Sequence, residues 1–186
     1  MKADFFTSAT RPPSVYRGNP FVVEVGLAYG GDLPAEELVD LWRFANRVPL
    51  QYQQSACAIT RAVTGTDWKH YALQQGKGAL PTGPLVLFVH MASVWVPFTS
   101  ESKEAVAAYP EILKELRLGL QECGRRLGSF LRHRRRLEDA EKKNSYIRAY
   151  IPHIGIALKE ILRLSDKEEA KVVEVLTDTL ERTRKI

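Results

Sequence analysis

The sequence predicts an α+β fold, in which a β-sheet packs on helices. Two segments have strand patterns: Phe21–Tyr29 alternates and is partly β-branched, and Leu85–Ala92 is a continuous apolar run. Between them, Ser55–Thr64 has the composition of a short helix, and Gly65 is a typical helix stop. From Pro110 onwards, apolar residues recur every three or four positions, which predicts a long helix. Strands and helices in this order are typical of a layered α+β domain.

The first fifty residues contain one segment whose pattern does not decide its structure. Residues 1–19 are rich in proline, serine and glycine and predict an irregular lead-in. After the first strand, Gly30-Gly31-Asp32 supplies turn chemistry. Glu36–Val48 then has a helical composition, yet its apolar residues also allow a strand. The residue pattern leaves both structures open there.

The long helix has a heptad-like apolar seam. Its members are Leu113, Leu116, Leu120, Cys123, Leu127 and Phe130. Pro110 is tolerated in the first helical turn. Gly119, Gly124 and Gly128 lower the helix propensity by up to about 1 kcal/mol each relative to alanine. We interpret them as positions of close packing and not as breaks.

Two amphipathic segments follow. Tyr146–Leu164 has an apolar stripe in which Pro152 predicts a kink or a restart of the helix. Ser165 and Glu168 fit the S-x-x-E capping box, which satisfies two backbone donors. A last helix is predicted over Lys167–Arg182.

Composition is that of an ordinary globular protein. The 186 residues suffice for one well-packed domain, or for one domain with a helical appendage. No segment has the length of a transmembrane helix and the N-terminus has no signal-peptide core, so we expect a cytoplasmic protein. Cys57 and Cys123 lack metal-site spacing and are interpreted as buried thiols.

The net charge of +5 is concentrated in one basic block. Its members are Arg125, Arg126, Arg132, His133, Arg134, Arg135 and Arg136. Such a block can neutralise the phosphates of a nucleic acid. It can equally be a solvated helix end, where cations interact favourably with the helix dipole. Charge alone does not separate these interpretations.

A hydroxyl-rich loop follows the second predicted strand. It contains Thr99, Ser100 and Ser102, and Lys103 is the cation at its end. Binding sites are usually built at strand ends and on loops, so Lys103 is well placed to meet an anion. The alternative is an ordinary solvated lysine.

Trp68-Lys69-His70-Tyr71 forms a third candidate. Two aromatic residues flank a lysine beside a flexible Gly-Lys-Gly segment, 76–78, and such a group can contact a phosphate backbone. The alternative is that Trp68 anchors the loop in the core while Lys69 is solvated. Spacing alone favours this alternative, because large aromatic residues are usually buried.

No complete enzyme site is visible. A Walker-type loop is absent from the sequence, and Gly30-Gly31 is too short to cradle phosphates. Neither metal-ligand spacing nor a serine–histidine–acid motif occurs. His90 lies in a predicted strand and is interpreted as a hydrogen-bonded core residue.

Four strings carry a resemblance to a known family: RPPSVYRGNPF (11–21), RFANRVPLQY (43–52), DWKHY (67–71) and HMASVWVPFTSESKEAVA (90–107). Together they resemble the transducer domain of the B subunit of DNA topoisomerase VI, the ATP-dependent type IIB topoisomerase. The resemblance covers most of residues 10–135. It implies a ribosomal protein S5 domain 2-like sheet with a left-handed βαβ crossover, packed on helices, and a long C-terminal helical extension. It also implies that the ambiguous segment is a strand, Leu38–Asn46, antiparallel to the first.

The resemblance assigns roles to individual residues. Lys103 matches the family's switch lysine, which reaches an adjoining ATP-binding domain and contacts the terminal phosphate of ATP. Trp68, Lys69 and Tyr71 match a W-K-x-Y motif that contributes to DNA contact. Four arginines that belong to no family motif are retained as candidate DNA-binding residues: Arg132, Arg134, Arg135 and Arg136.

The implied organisation is a lead-in (1–19), a transducer domain (20–135) and a helical tail (136–186) that docks on the A subunit of topoisomerase VI. The implied function is to relay ATP binding and hydrolysis to this DNA-cleaving A subunit during duplex passage. The partners would be double-stranded DNA, the A subunit, and the ATP-binding domain of the B subunit.

The family's ATP-binding and helix–two-turn–helix domains have no counterpart in this sequence. ATP and Mg²⁺ are therefore expected only in the full assembly, and the isolated chain should bind no cofactor or metal, hydrolyse no ATP and cleave no DNA. An independent basic nucleic-acid-binding module of the S5 class is an alternative. A small-molecule kinase is a further alternative, but the missing glycine-rich loop argues against it.

Overall fold

The computed structural model describes residues 2–183. The chain divides into two compact units, Met1–Arg132 and His133–Ile186. The strands are β1 (Phe5–Thr10), β2 (Ser14–Tyr16), β3 (Asn19–Tyr29), β4 (Asp40–Ala45), β5 (Val48–Pro49), β6 (Gln74–Gln75), β7 (Pro81–Thr82) and β8 (Leu85–Ser93). The helices are α1 (Ala58–Thr64), α2 (Pro110–Leu162) and α3 (Asp166–Thr183), with 3-10 turns at Gln54–Ala56 and Trp68–Tyr71.

The predicted α+β class is confirmed, with β3 and β8 at the centre of the sheet. The strand order is β1-β3-β8-β4-β5, β2 also pairs with β3, and β6 and β7 form a separate ribbon. β3 and β8 pair antiparallel from Phe21 opposite Ser93 to Tyr29 opposite Leu85. Val25 and Val89 face each other in this register and are buried, as the strand patterns predict.

The ambiguous segment is a strand that runs antiparallel to β3, as expected, but β8 lies between the two. β4 pairs in parallel with β8, with Arg43 opposite Val89, and β8 separates it from β3. β4 and β3 therefore run in opposite directions without pairing. Parallel neighbours need a crossover connection, and α1 lies in the segment between β4 and β8, so β4, α1 and β8 form a βαβ unit.

The prediction of an irregular lead-in is wrong for much of residues 1–19. β1 pairs antiparallel with β3 from Phe5 to Thr10, and β2 pairs with the start of β3. Ala9 and Tyr16 are buried in the core. Pro12-Pro13 lies between the two strands, where it interrupts any period that the sequence could reveal.

The apolar seam of α2 is largely confirmed. Its fully buried members are Ile112, Leu116, Leu120, Cys123 and Leu127. Ile112 takes the place predicted for Leu113, which is only partly buried, and Phe130 stacks on Phe5 with ring centroids 4.7 Å apart. A Cβ on Gly119 would lie 2.9 Å from Cγ2 of Val25, so this glycine is a close-packing position, as interpreted.

Both cysteines are free and buried, which confirms their interpretation as buried thiols. The Cys123 thiol lies 3.6 Å from the carbonyl oxygen of Val25. Burial raises the pKa of the Cys123 thiol to about 11. Within residues 2–183, no helix is long and apolar enough to cross a membrane.

In the second unit, α3 packs on the last part of α2. A Cβ on Gly155 would lie 2.6 Å from Cγ2 of Val173, and Arg148 pairs with Glu181 at 2.6 Å. Of the predicted kink or restart at Pro152, the restart does not occur, because α2 continues through this residue. Residues 184–186 of the predicted tail lie outside the described residues.

The predicted capping box is present at the start of α3. Oε2 of Glu168 accepts hydrogen bonds from the backbone N–H and the hydroxyl of Ser165, both at 2.8 Å. The backbone hydrogen bond from Ser165 holds the pKa of the Glu168 carboxyl below its ordinary value.

Candidate functional site

Lys103 lies at the exposed tip of a loop whose base belongs to the core. Backbone N–H of Thr99 donates to the carbonyl of Ala105 at 2.9 Å and closes the loop. Ala105 and Val106 are fully buried. The Val106 carbonyl accepts from the N–H of Ala58, the first residue of α1, at 2.8 Å. The tip is therefore exposed while its base is fixed to a helix.

The backbone of Lys103 has φ +56°, in the left-handed region. This conformation costs a non-glycine residue roughly 1–2 kcal/mol and is concentrated at functional sites. Within residues 2–183, the Lys103 ammonium has neither an ion pair nor a hydrogen-bond partner. Since no described carboxylate neutralises it, this charge is available to an anion.

An open cleft of about 470 Å³ lies beside Lys103. Trp95 and Val94 line it and are 54% and 82% exposed. Asn46 lines it as well, and its side chain donates to the Ser93 carbonyl (2.8 Å) and accepts from the Ser93 N–H (2.9 Å). These two bonds hold the β4–β5 turn against the end of β8, so one wall of the cleft is rigid.

Gln53 braces the loop that carries Lys103. Its Nε2 donates to Oε2 of Glu104 at 2.8 Å, and its Oε1 accepts from the Thr99 hydroxyl at 3.5 Å. The preceding carbonyl, of Tyr52, accepts from Nη2 of Arg43 at 3.2 Å. The brace thus connects the loop with β4.

Sequence reasoning missed both members of this brace. Gln53 and Glu104 are 51 positions apart, so no local pattern joins them. Arg43 is buried, and its Nη1 has no hydrogen-bond partner in the described part of the chain. A charged residue between apolar neighbours in a strand was the one available signal for Arg43, because arginine is almost never fully buried unless it has a partner.

Trp68 anchors the W-K-x-Y turn. Its ring is fully buried, and its Nε1 donates to the Val63 carbonyl at 2.8 Å. The Asp67 carboxylate caps the turn by accepting from the N–H of Lys69 at 3.1 Å. The fully buried ring anchors the turn, and the assignment of Trp68 as a DNA-binding residue stays a prediction. The side chains of Lys69 and His70 are exposed.

Tyr71 packs on α2 where two glycines leave space for it. A Cβ on Gly124 would lie 2.5 Å from both Cδ2 and Cε2 of Tyr71. A Cβ on Gly128 would lie 3.3 Å from Cα of Tyr71 and 3.2 Å from Nη1 of Arg132. Both glycines are therefore close-packing positions, as interpreted. They bring the turn with Lys69 against the helix surface at Arg132, although the sequence presents the two basic regions separately.

The remaining arginines differ in their surroundings. Arg126 holds β1, since its Nη1 donates to the Ser8 carbonyl at 2.6 Å. Arg134 pairs with Glu138 at 3.0 Å, which offsets its charge. Arg135 and Arg136 are exposed in the second unit.

His90 is hydrogen-bonded but is not a core residue. Its Nδ1 lies 2.8 Å from a Glu24 carboxylate oxygen, and its Nε2 accepts from the N–H of Arg47 at 3.1 Å. The imidazole is partly exposed. Among residues 2–183, no group of three or more His, Cys, Asp and Glu side chains is placed to hold a metal ion.

Comparison with known proteins agrees with the resemblance. The family model "Topoisomerase VI B subunit, transducer" matches residues 1–143. Three curated relatives carry the name of the B subunit of type 2 DNA topoisomerase 6. The relative from Methanococcoides burtonii is 49% identical over 162 residues, which cover 87% of this chain and 26% of the relative. The relative from Archaeoglobus fulgidus is 48% identical over 173 residues (93% and 29%). The relative from Methanosarcina acetivorans is 45% identical over 183 residues (98% and 30%).

The chain thus spans less than a third of the length of these relatives. Among solved structures, the B subunit of DNA gyrase from Myxococcus xanthus matches 67% of this chain and 34% of its own, with 21% identity and a TM-score of 0.41, a likeness too weak to carry an argument. The family match covers well over half of the chain, and the relatives' identities are far above chance. The chain belongs to the transducer family of topoisomerase VI B subunits.

Proposed function

We propose that this chain acts as the transducer of a type IIB topoisomerase, relaying ATP binding and hydrolysis in an adjoining domain to a DNA-cleaving A subunit. Membership of the transducer family supports this function. The observation that carries it is the exposed, unneutralised Lys103 on a strained loop tip. Because the buried loop base is hydrogen-bonded to the start of α1, a displacement of Lys103 would be transmitted to α1.

The residues around Lys103 fit one contact with a phosphate but not a complete nucleotide site. The adjacent cleft contains one cation, Lys103, and one carboxylate, Glu101. When ATP is bound with Mg²⁺ to the adjoining domain, its phosphoanhydride bond would be the bond that is hydrolysed. This chain would contribute one ammonium donor to the terminal phosphate. A charge-assisted hydrogen bond of this kind contributes about 1.5–3 kcal/mol.

The switching follows from differential binding. A ligand moves an equilibrium between two orientations only by the difference in its interactions with them. The proposed contact exists while the terminal phosphate is in place and is lost when that phosphate leaves. Since about 1.4 kcal/mol corresponds to a factor of ten in an equilibrium constant, this contact changes the ratio of the two domain orientations by roughly 10- to 150-fold.

DNA and the A subunit are the proposed partners of the rest of the chain. Lys69 would contact a DNA phosphate, and Trp68 and Tyr71 would hold its turn in place. The second unit would dock on the A subunit through side chains that remain exposed: Tyr146, Ile147, Tyr150, Ile154 and Ile161. Exposed apolar residues in such number are typical of an interaction surface.

Lys103→Ala tests the proposal in a complex reconstituted with the ATP-binding domain and the A subunit of a relative. We expect ATP turnover to fall about tenfold or more, because a contact of about 1.5–3 kcal/mol is removed. Lys114→Ala is the matched control, since Lys114 is an exposed lysine on α2 outside the loop. Equal turnover in the two variants would refute the role of Lys103.

A further inference from the structure

A second cleft, of about 400 Å³, lies beside the W-K-x-Y turn in the first unit. One wall consists of residues 64–67, at the end of α1, together with Lys69. The segment 75–78, with Lys77 in it, lines the same cleft. Two lysines that are eight positions apart in the sequence therefore border one polar cavity.

The cleft is held together by one side chain, that of Gln75. Its Oε1 accepts from the N–H of Trp68 at 3.1 Å. Its Nε2 donates to the carbonyls of Thr64 (3.2 Å) and Ala79 (3.0 Å). Three backbone segments are thereby fixed around a single amide, so the walls that carry Lys69 and Lys77 keep their separation.

Lys77 stands at the tip of a tight turn. The N–H of Ala79 donates to the carbonyl of Gly76 at 3.2 Å and closes this turn. Gly78 has φ +67°, a conformation that glycine adopts without strain. The Lys77 side chain is exposed, so it stands at the rim of the cleft and not in the core.

The charges around the cleft favour an anion. Neither Lys69 nor Lys77 has an ion-pair partner in the part of the chain that the structure describes. The one carboxylate in the lining is Asp67, which already accepts from the backbone N–H of Lys69 and lies 4.0 Å from His70. The lining thus contains two lysines and one carboxylate, and that carboxylate already caps the turn.

We propose that Lys77 is a second phosphate-binding residue, so that the cleft takes a phosphate of the DNA backbone between Lys77 and Lys69. The inference rests on the proposed DNA contact of Lys69 and adds a residue outside the W-K-x-Y motif. Lysine binds phosphate as a point charge, and two lysines that line one cleft suit an anion with several acceptor oxygens. Such a contact is independent of base sequence.

The test is a salt titration of duplex-oligonucleotide binding by the full 186-residue chain. Lys77→Ala and Lys69→Ala are each expected to weaken binding about three- to tenfold at fixed salt, and equally for unrelated sequences. The double variant should lower the slope of log affinity against log salt by about 0.9, the contribution of one neutralised phosphate. Lys77→Arg keeps the charge and should retain the affinity, and Lys114→Ala should match the wild type.

The outcomes separate this inference from the proposed function. If Lys69→Ala weakens binding and Lys77→Ala behaves like Lys114→Ala, the inference is wrong and the DNA contact of Lys69 stands. If Lys77→Ala alone weakens binding, the assignment of Lys69 fails, and with it the inference that the two lysines share one phosphate. A wild-type chain without salt-dependent binding overturns both. A loss with Lys77→Arg as large as with Lys77→Ala also overturns the inference, because charge would then not be the cause.

Discussion

Gly124→Ala tests whether the glycine under Tyr71 holds in place the turn that we propose contacts DNA. The added Cβ would lie 2.5 Å from two carbons of the Tyr71 ring. Since carbon atoms pack at about 3.5–4.0 Å, the ring must move by roughly 1 Å. Tyr71 also meets Trp68 edge-on, with centroids 6.0 Å apart, so a shift disturbs the anchor of the turn as well.

Two opposing effects set the size of the change in the free energy of unfolding that Gly124→Ala causes. Overpacking of this kind costs about 1–3 kcal/mol, whereas alanine in place of glycine favours a helix by about 1 kcal/mol. We expect a net decrease in the free energy of unfolding of up to about 2 kcal/mol. DNA affinity should fall in addition, because Lys69 moves with the ring although its charge is retained.

Urea unfolding of four chains measures the effect: wild type, Gly124→Ala, Tyr71→Ala and the double variant. With the ring removed, Gly124→Ala should become neutral or stabilising, because helix propensity is then the remaining term. Gly76→Ala is the control, since its Cβ would meet Ala79 at an ordinary 3.6 Å. A stabilising effect of Gly124→Ala that is the same with and without the Tyr71 ring would refute the close-packing argument.

Three further predictions concern the loop brace, the tail and the cap. Gln53→Ala should speed hydrogen exchange over residues 99–106 and lower ATP turnover of the reconstituted complex while Lys103 is intact; unchanged exchange would mean that the loop holds itself. Deleting residues 144–186 should leave a cooperatively folding first unit, whose core cluster contains none of them, but abolish co-purification with the A subunit; loss of the folded circular dichroism signal would contradict the docking role. The Ser165 hydrogen bond lowers the pKa of the Glu168 carboxyl from its ordinary 4.5. The charged carboxylate therefore stabilises α3 above about pH 4.5, and this stabilisation is lost as the pH falls further. Glu168→Gln should remove this part of the acid sensitivity when helicity is measured as a function of pH.

The central elements can be predicted because their residues carry a period. β3 alternates, β8 is a continuous apolar run, and α2 repeats every three to four residues. β1 and β2 cannot be found in this way, since proline, serine and arginine around them hide the few buried positions, such as Ala9. The neighbour of β4 cannot be found either, because strand order depends on pairing between residues far apart in the sequence.

The residues of the candidate site also divide into those that the sequence predicts and those that it does not. Lys103 and Lys69 follow from short motifs, so the resemblance is sufficient to single them out. Gln53 and Gln75 do not, since each acts through hydrogen bonds to backbone or side-chain groups that a motif does not include. The left-handed φ of +49° at Gln53 has no signal in the residue type, as glutamine has no special preference for that region.

Both proposed phosphate contacts use a neutral amide to position a cation, and the chemistry of the amide explains the choice. A glutamine side chain donates and accepts at once, so Gln75 can tie together the N–H of Trp68 and two carbonyls without adding charge. A glutamate in its place could accept but not donate, and its charge would attract Lys69 or Lys77 away from a ligand. At position 53, a glutamate would stand against the Glu104 carboxylate, which the Gln53 amide now contacts at 2.8 Å. Like charges at that distance repel, so the brace between residues 53 and 104 would be lost and the loop would open. The added negative charge would also make the electrostatic potential around Lys103 less positive. A neutral brace therefore satisfies two requirements together: the loop stays fixed, and the lysine keeps its full charge for an anion.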